Sequence, residues 1–183
     1  MKTRHGLLAI CLLLAVFLLQ ACGSAESGEG GLSAAFDPEN PQEYGIRGIY
    51  LGQNVKDSMD VLKPAKADFM DAVTRESYTL DQMAAGAGTV VMGLLLVDDA
   101  QLMVMVKQGV LKAIVVGGIS EEKAAQFATN RGLAVYDSVQ RLQELYGQVT
   151  SGQEVSVQGS RYKALFSIHD DKVIGFRFDA IGD

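Results

Sequence analysis

Two stretches of this chain recur at a constant offset, so whatever it folds into has to build one unit twice. Arg47-Gly48-Ile49-Tyr50-Leu51, with Val55 four positions on, lines up 84 residues later with Arg131-Gly132-Leu133-Ala134-Val135 and Val139. Gly93 to Val116 lies over Val155 to Phe178 without a gap, at an offset of 62. The two offsets differ by 22, so the first copy carries 22 extra residues, in about 64–88, between its helix and its sheet.

Each copy reads as a short helix followed by strands. Asn54 is placed to cap a helix with Val55, Met59 and Leu62 on one face; Ser138 is placed to cap one with Val139, Leu142, Leu145 and Tyr146. Three strands follow in each copy, at 89–97, 101–107 and 110–116, then at 153–158, 161–168 and 172–178. The turns fall at Asp98-Asp99, Gln108-Gly109, Gly159-Ser160 and Asp170-Asp171, the spacing of an antiparallel meander. The insert 64–88, with Phe69, Met70, Val73, Leu80 and Met83, can be helical as far as Ala85-Gly86-Ala87-Gly88. A further helix is expected over Glu121 to Asn130, capped by Ser120, with a weaker counterpart from Asp37 to Glu43. The expected fold is α+β: two tandem copies of a helix-helix unit with an antiparallel three- or four-stranded sheet, at 45–118 and 119–183.

The two sheets differ in how many faces they bury. Strand residues alternate between faces. In the second copy Val155, Val157, Phe166, Ile168, Phe176 and Phe178 mark the core face, while Glu154, Ser156, Gln158, Ser167 and Arg177, with Leu165, mark a wet one. Moved back by 62, those wet positions become Met92, Leu94, Leu96, Met105 and Val115, with Met103 at the position of Leu165. The first sheet is therefore apolar on both faces, whereas antiparallel sheets are commonly dry on one side only. The cover for these six residues is either the insert or something outside the unit: a partner protein, a second copy, or an apolar ligand.

The N-terminus carries Lys2, Arg4 and His5 ahead of an apolar run from Leu7 to Leu19, the pattern of a secretory signal over residues 1–21. The run is short for a membrane span, which needs about 20 residues. Leu19-Gln20-Ala21-Cys22 resembles the lipobox of bacterial lipoproteins. That resemblance implies cleavage before Cys22 and covalent attachment of diacylglycerol and fatty acyl (palmitate-type) chains there, with no other cofactor. Two or more chains anchor stably at about 0.8 kcal/mol per buried CH₂. Gly23 is not the Asp associated with inner-membrane retention in that family, so the expected location is the cell envelope, facing the periplasm or exterior, on the outer membrane where there is one. Residues 22–44, rich in Gly, Ser, Glu and Pro, read as the lipidated cysteine and a flexible tether.

Cleavage would remove Lys2 and Arg4 and no acid, leaving 14 basic against 22 acidic side chains, a formal charge of −8. This gives no footprint for nucleic acid and no polybasic hold on anionic lipid. Catalytic chemistry finds little to work with. His169 stands in a hairpin beside Asp170 and Asp171, a setting for a solvated turn rather than a metal site, and no G-x-S-x-G motif accompanies it. Gly86-Ala87-Gly88 has no following Lys-Ser/Thr and opens no helix, so it is no phosphate loop.

The alternation of helices and meander, twice, is similar to the β-lactamase inhibitor protein fold. Gly48-Ile49-Tyr50-Leu51-Gly52-Gln53-Asn54-Val55 and Glu144-Leu145-Tyr146-Gly147 also resemble small outer-membrane assembly lipoproteins of the SmpA/OmlA type. What the resemblance implies is a non-enzymatic protein-binding or scaffolding module, anchored through lipid and meeting an envelope protein or itself. A carrier or sensor of an apolar small molecule, held against the Met-rich face, is the alternative.

Overall fold

Three two-residue turns fix the sheet's register. Asp98-Asp99, Gln108-Gly109 and Asp170-Asp171 hold positive φ at both positions, 47° and 60°, 53° and 78°, 49° and 58°. Such mirror-image turns match the right-handed twist of the strands they join, and Asp and Gly are among the residues that tolerate them. The computed structural model describes residues 31–147, 149 and 152–182; the signal segment and Cys22 lie outside the described residues.

In chain order the strands are β1 (Gly45–Ile46), β2 (Ile49–Tyr50), β3 (Lys66–Asp71), β4 (Val91–Val97), β5 (Ala100–Lys107), β6 (Val110–Gly117), β7 (Glu154–Gln158), β8 (Tyr162–His169) and β9 (Lys172–Ala180). The helices are α1 (Val55–Leu62), α2 (Leu80–Ala84) and α3 (Val139–Tyr146), with 3₁₀ turns at Pro41–Glu43 and Glu121–Phe127. β1 and β2 form a small hairpin; the other strands form one antiparallel sheet in the order β3-β4-β5-β6-β9-β8-β7.

Two tandem helix-helix-sheet units are therefore not what forms. The two meanders join edge to edge, β6 against β9, into a seven-stranded sheet that both copies share. The repeat survives as symmetry within that sheet. Val115 pairs with Arg177, its own counterpart at offset 62, while Ala113 pairs with Asp179 and Gly117 with Gly175, equal steps to either side. The helices obey the same relation: the Val55 amide donates to the Gly109 carbonyl at 2.9 Å and the Val139 amide to that of Asp171 at 3.0 Å.

The helix pairs fail for local reasons. Asn54 and Ser138 do cap α1 and α3, accepting from the amides of Lys56 and Arg141. The segment expected to be helical from Glu121 to Asn130 is only a 3₁₀ turn, because the Ser120 side chain makes no cap and the chain straightens at Ala128, φ −59° and ψ 149°. The insert is not a helix over the sheet either. Lys63 turns left-handed at φ 47°, Pro64 follows, and the chain comes back as β3 along the free edge of β4. Only α2 of the insert is helical, started by a capping box between Thr79 and Gln82.

All the helices lie on one side. Val55, Met59, Leu62, Met83, Phe127, Leu133, Leu142 and Tyr146 are buried in one cluster with the inner sheet residues. In the first half those are aliphatic (Leu95, Leu102, Val104, Ile114); in the second they are aromatic, with Phe166, Phe176 and Phe178 packed in tilted and edge-on contacts at centroid distances of 5.4–6.5 Å. Gly93 leaves room for the Phe69 ring of the edge strand, since a Cβ there would lie 2.6 Å from it. Residues 33–44, which composition assigns to the tether, are docked in the described structure. Phe36 lies 5.1 Å from Tyr146, Glu39 accepts from the Ser160 hydroxyl at 2.6 Å, and the buried Glu43 carboxylate pairs with Arg131.

Candidate functional site

The face of the sheet opposite the helices carries the six residues singled out from the repeat. Strand pairing sets them in rows. Asp68, Leu94, Met103, Val115, Arg177, Leu165 and Ser156 run side by side across all seven strands. The next row is Met70, Met92, Met105, Ala113, Asp179, Lys163 and Gln158, and on the other side Lys66, Leu96 and Gln101 adjoin. The face is thus mainly apolar over β4 to β6, with Met70 adjoining on β3, and mainly polar over β7 to β9. The division falls between β6 and β9, where the two copies meet.

Nothing among the described residues lies over the apolar half. Leu94 and Leu96 are each 37% exposed, and Met92, Met103, Met105 and Val115 are half-buried by one another in the manner of a sheet surface. The insert, the intramolecular candidate to cover them, instead extends the surface through Met70 and sends α2 to the helix side, where Met83 is buried. At strand spacings of about 4.8 Å and rises of about 3.4 Å, three strands by five residues make a patch on the order of 250 Å². Met70 on β3 extends it toward the roughly 300–600 Å² of the largest apolar patch on a typical monomer, which is often functional. Two shallow open grooves flank β3 and β4, of about 320 Å³ beside Met70, Tyr78, Met92 and Leu94 and about 310 Å³ beside Lys66, Leu96 and Gln101.

Charged pairs frame the patch. Lys66 reaches Asp68 at 2.8 Å on the β3 side, and Arg177 grips Asp179 through Nη2 at 2.6 Å and Nε at 2.7 Å on the β9 side. Hydrogen bonding to these carboxylates raises the pKa of Lys66 and of Arg177, so both cations are held in the charged form. Met70 and Asp68 have no counterpart in the second copy, since β3 lies in the insert of the first; the repeat places Arg177 on the wet face but does not show its pairing with Asp179. The alternation of Asp68, Phe69 and Met70 was the available signal, with Phe69 inward and its neighbours outward.

Asp71, at the end of β3, holds the insert's shape. Its carboxylate accepts from the amides of Val73 at 2.8 Å, Thr74 at 2.9 Å and Thr89 at 2.9 Å, and these bonds lower its pKa to about 2. The side chains that tempt a catalytic reading are surface groups: His169 is exposed 3.5 Å from Asp170, and Asp98 pairs with Arg47 at 2.8 Å. Among the described residues no cluster of three His, Cys, Asp or Glu could hold a metal, and no helix is long and apolar enough to cross a membrane.

No protein-family model matches the chain, and no curated protein matches its sequence. Among solved structures, an extracellular protein containing a SCP domain from Bacillus anthracis str. Ames aligns with a TM-score of 0.38 and 7% identity over 87% of this chain. The chain spans half the length of that protein, and a likeness at this level carries no argument about function.

Proposed function

We propose that the chain is a membrane-anchored envelope lipoprotein, tethered through acyl chains on Cys22, that works as a protein-binding module and not as an enzyme. The uncovered apolar half of the outer sheet face supports this reading. A flat surface of Met, Leu and Val framed by charged pairs suits another protein surface, and methionines adapt to it without a fixed shape. A carrier of an apolar small molecule needs a concave site that buries most of its ligand. Residues 64–88 would have to roof such a site, and they lie at its edge and on the far side of the sheet.

Peroxide oxidation tests this. Met92, Met103 and Met105 should be oxidised several-fold more slowly in native membranes than in the dilute chain purified in detergent, because a bound partner keeps oxidant from their sulfurs. Met59 and Met83, buried in the core, serve as slow references in both preparations. Equal rates for the three outer methionines in membranes and in dilute solution would defeat the proposal.

A further inference from the structure

We infer that the partner of the outer face is a second copy of this chain, placed face to face about a two-fold axis that runs along β5 above Met103 and Met105. This rests on the reading of that face as a binding surface. The strand register decides where charge stands around it. In the row Asp68, Leu94, Met103, Val115, Arg177, the carboxylate and the guanidinium stand two strands to either side of Met103.

A two-fold along β5 reverses strand order in the second copy, so each position meets the one equally far on the other side. Met103 then meets its own counterpart, as does Met105; Leu94 meets Val115, Met92 meets Ala113, Asp68 of each copy meets Arg177 of the other, and Met70 meets Asp179, whose carboxylate is only 19% exposed and stays paired with Arg177 of its own copy. Both groups are open to a partner, as the Asp68 side chain is 63% exposed and that of Arg177 50%; each keeps its own-copy partner, Lys66 or Asp179, so the contact between copies would extend an existing ion pair. The alternative in-plane axis, across the strands, would set Asp68 against Asp68 and Arg177 against Arg177. Complementarity therefore selects one of the two arrangements.

The area fits a weak dimer. Five strands from β3 to β9 by six residues span roughly 24 Å by 20 Å, so two copies would cover on the order of 1,000 Å² between them, near the lower end of specific interfaces at about 1,200 Å². Anchoring both copies in one membrane raises their effective concentration, which compensates for a small interface.

The test uses full-length chains in mild detergent, with micelles well in excess of protein, and native mass spectrometry to count copies. Wild type should show a dimer that grows with concentration. Asp68→Arg sets two guanidinium groups against each other at both contacts, and Arg177→Asp sets two carboxylates against each other, so each variant alone should be at least tenfold more monomeric. Mixed together, the two variants should dimerise with one another. One contact then joins the introduced arginine to the introduced aspartate, and the other keeps the native Asp68–Arg177 pair. Circular dichroism and thermal unfolding confirm that each variant is folded.

A wild type that stays monomeric, single variants that dimerise as wild type does, or folded variants that fail to pair when mixed would each overturn the inference. If wild type is monomeric while its outer methionines are still protected in membranes, self-pairing fails and the broader binding reading stands. Protection absent in membranes removes both.

Discussion

Asp71 shows how much a single carboxylate can organise where the repeat gives no guidance. It collects amides from Val73 and Thr74, two and three residues ahead, and from Thr89, eighteen residues ahead, and so pins both ends of the excursion between β3 and β4. Because these bonds favour the charged form, its pKa falls from 3.8 to about 2. A carboxylate lowered in the folded state stabilises it fully above its unfolded pKa and loses that contribution as pH falls through the folded value. The thermal midpoint of wild type should therefore drop between about pH 4 and pH 2 more steeply than that of Asp71→Asn, which has no proton to take up. The amides of Val73, Thr74 and Thr89 should exchange faster in Asp71→Ala at neutral pH. An Asp71→Asn profile that parallels wild type would mean this carboxylate is not the anchor. The contact with Thr89 was not legible in the sequence, since it spans eighteen residues. The caps at Asn54 and Ser138 were legible, because a cap acts on amides two or three positions away.

At the level of elements, strands were easier to read than helices. The six meander strands stand within two residues of their expected limits because alternation and two-residue turns are local signals. The insert and the stretch from Glu121 misled, because apolar residues at helical spacing can also serve an edge strand or a 3₁₀ turn; what decided was the free edge of β4 and the missing cap at Ser120. The docking of residues 33–44 was hidden for a different reason. Polar composition reports flexibility only where polar groups lack partners, and here Arg131 donates to Glu43 Oε1 at 2.8 Å and to the carbonyls of Ser33 and Ala35 at 2.8 and 2.9 Å. The Arg131 side chain is 8% exposed and that of Glu43 fully buried, so removing one partner strands a charge. Arg131→Met should cost about 3 kcal/mol in urea unfolding, the scale for breaking a buried pair. It should also release residues 33–40 to proteolysis. Replacing both residues, Glu43→Gln with Arg131→Met, should recover part of that loss. A single variant as stable as wild type would show that the pair contributes nothing to docking.

On the scale of the whole molecule, the two copies act as one sheet with two unlike surfaces. The offset of 62 carried the wet face of the second copy onto Met92, Leu94, Leu96, Met103, Met105 and Val115, and the structure sets all six on the side away from the helices. It could not carry the joining of β6 to β9, because periodicity within a strand says which face is buried and not which neighbour completes its edge. Nor could it say whether the chain covers its own apolar face. The described residues leave that face open. Urea unfolding of the full chain in dilute detergent, with Met105→Glu compared with wild type, separates an open face from a closed one. A glutamate on an open sheet surface should cost less than about 1 kcal/mol, since it reaches water; a loss of about 2 kcal/mol or more, the scale for a charge forced among apolar neighbours, would mean that the face is closed within one chain and needs no partner.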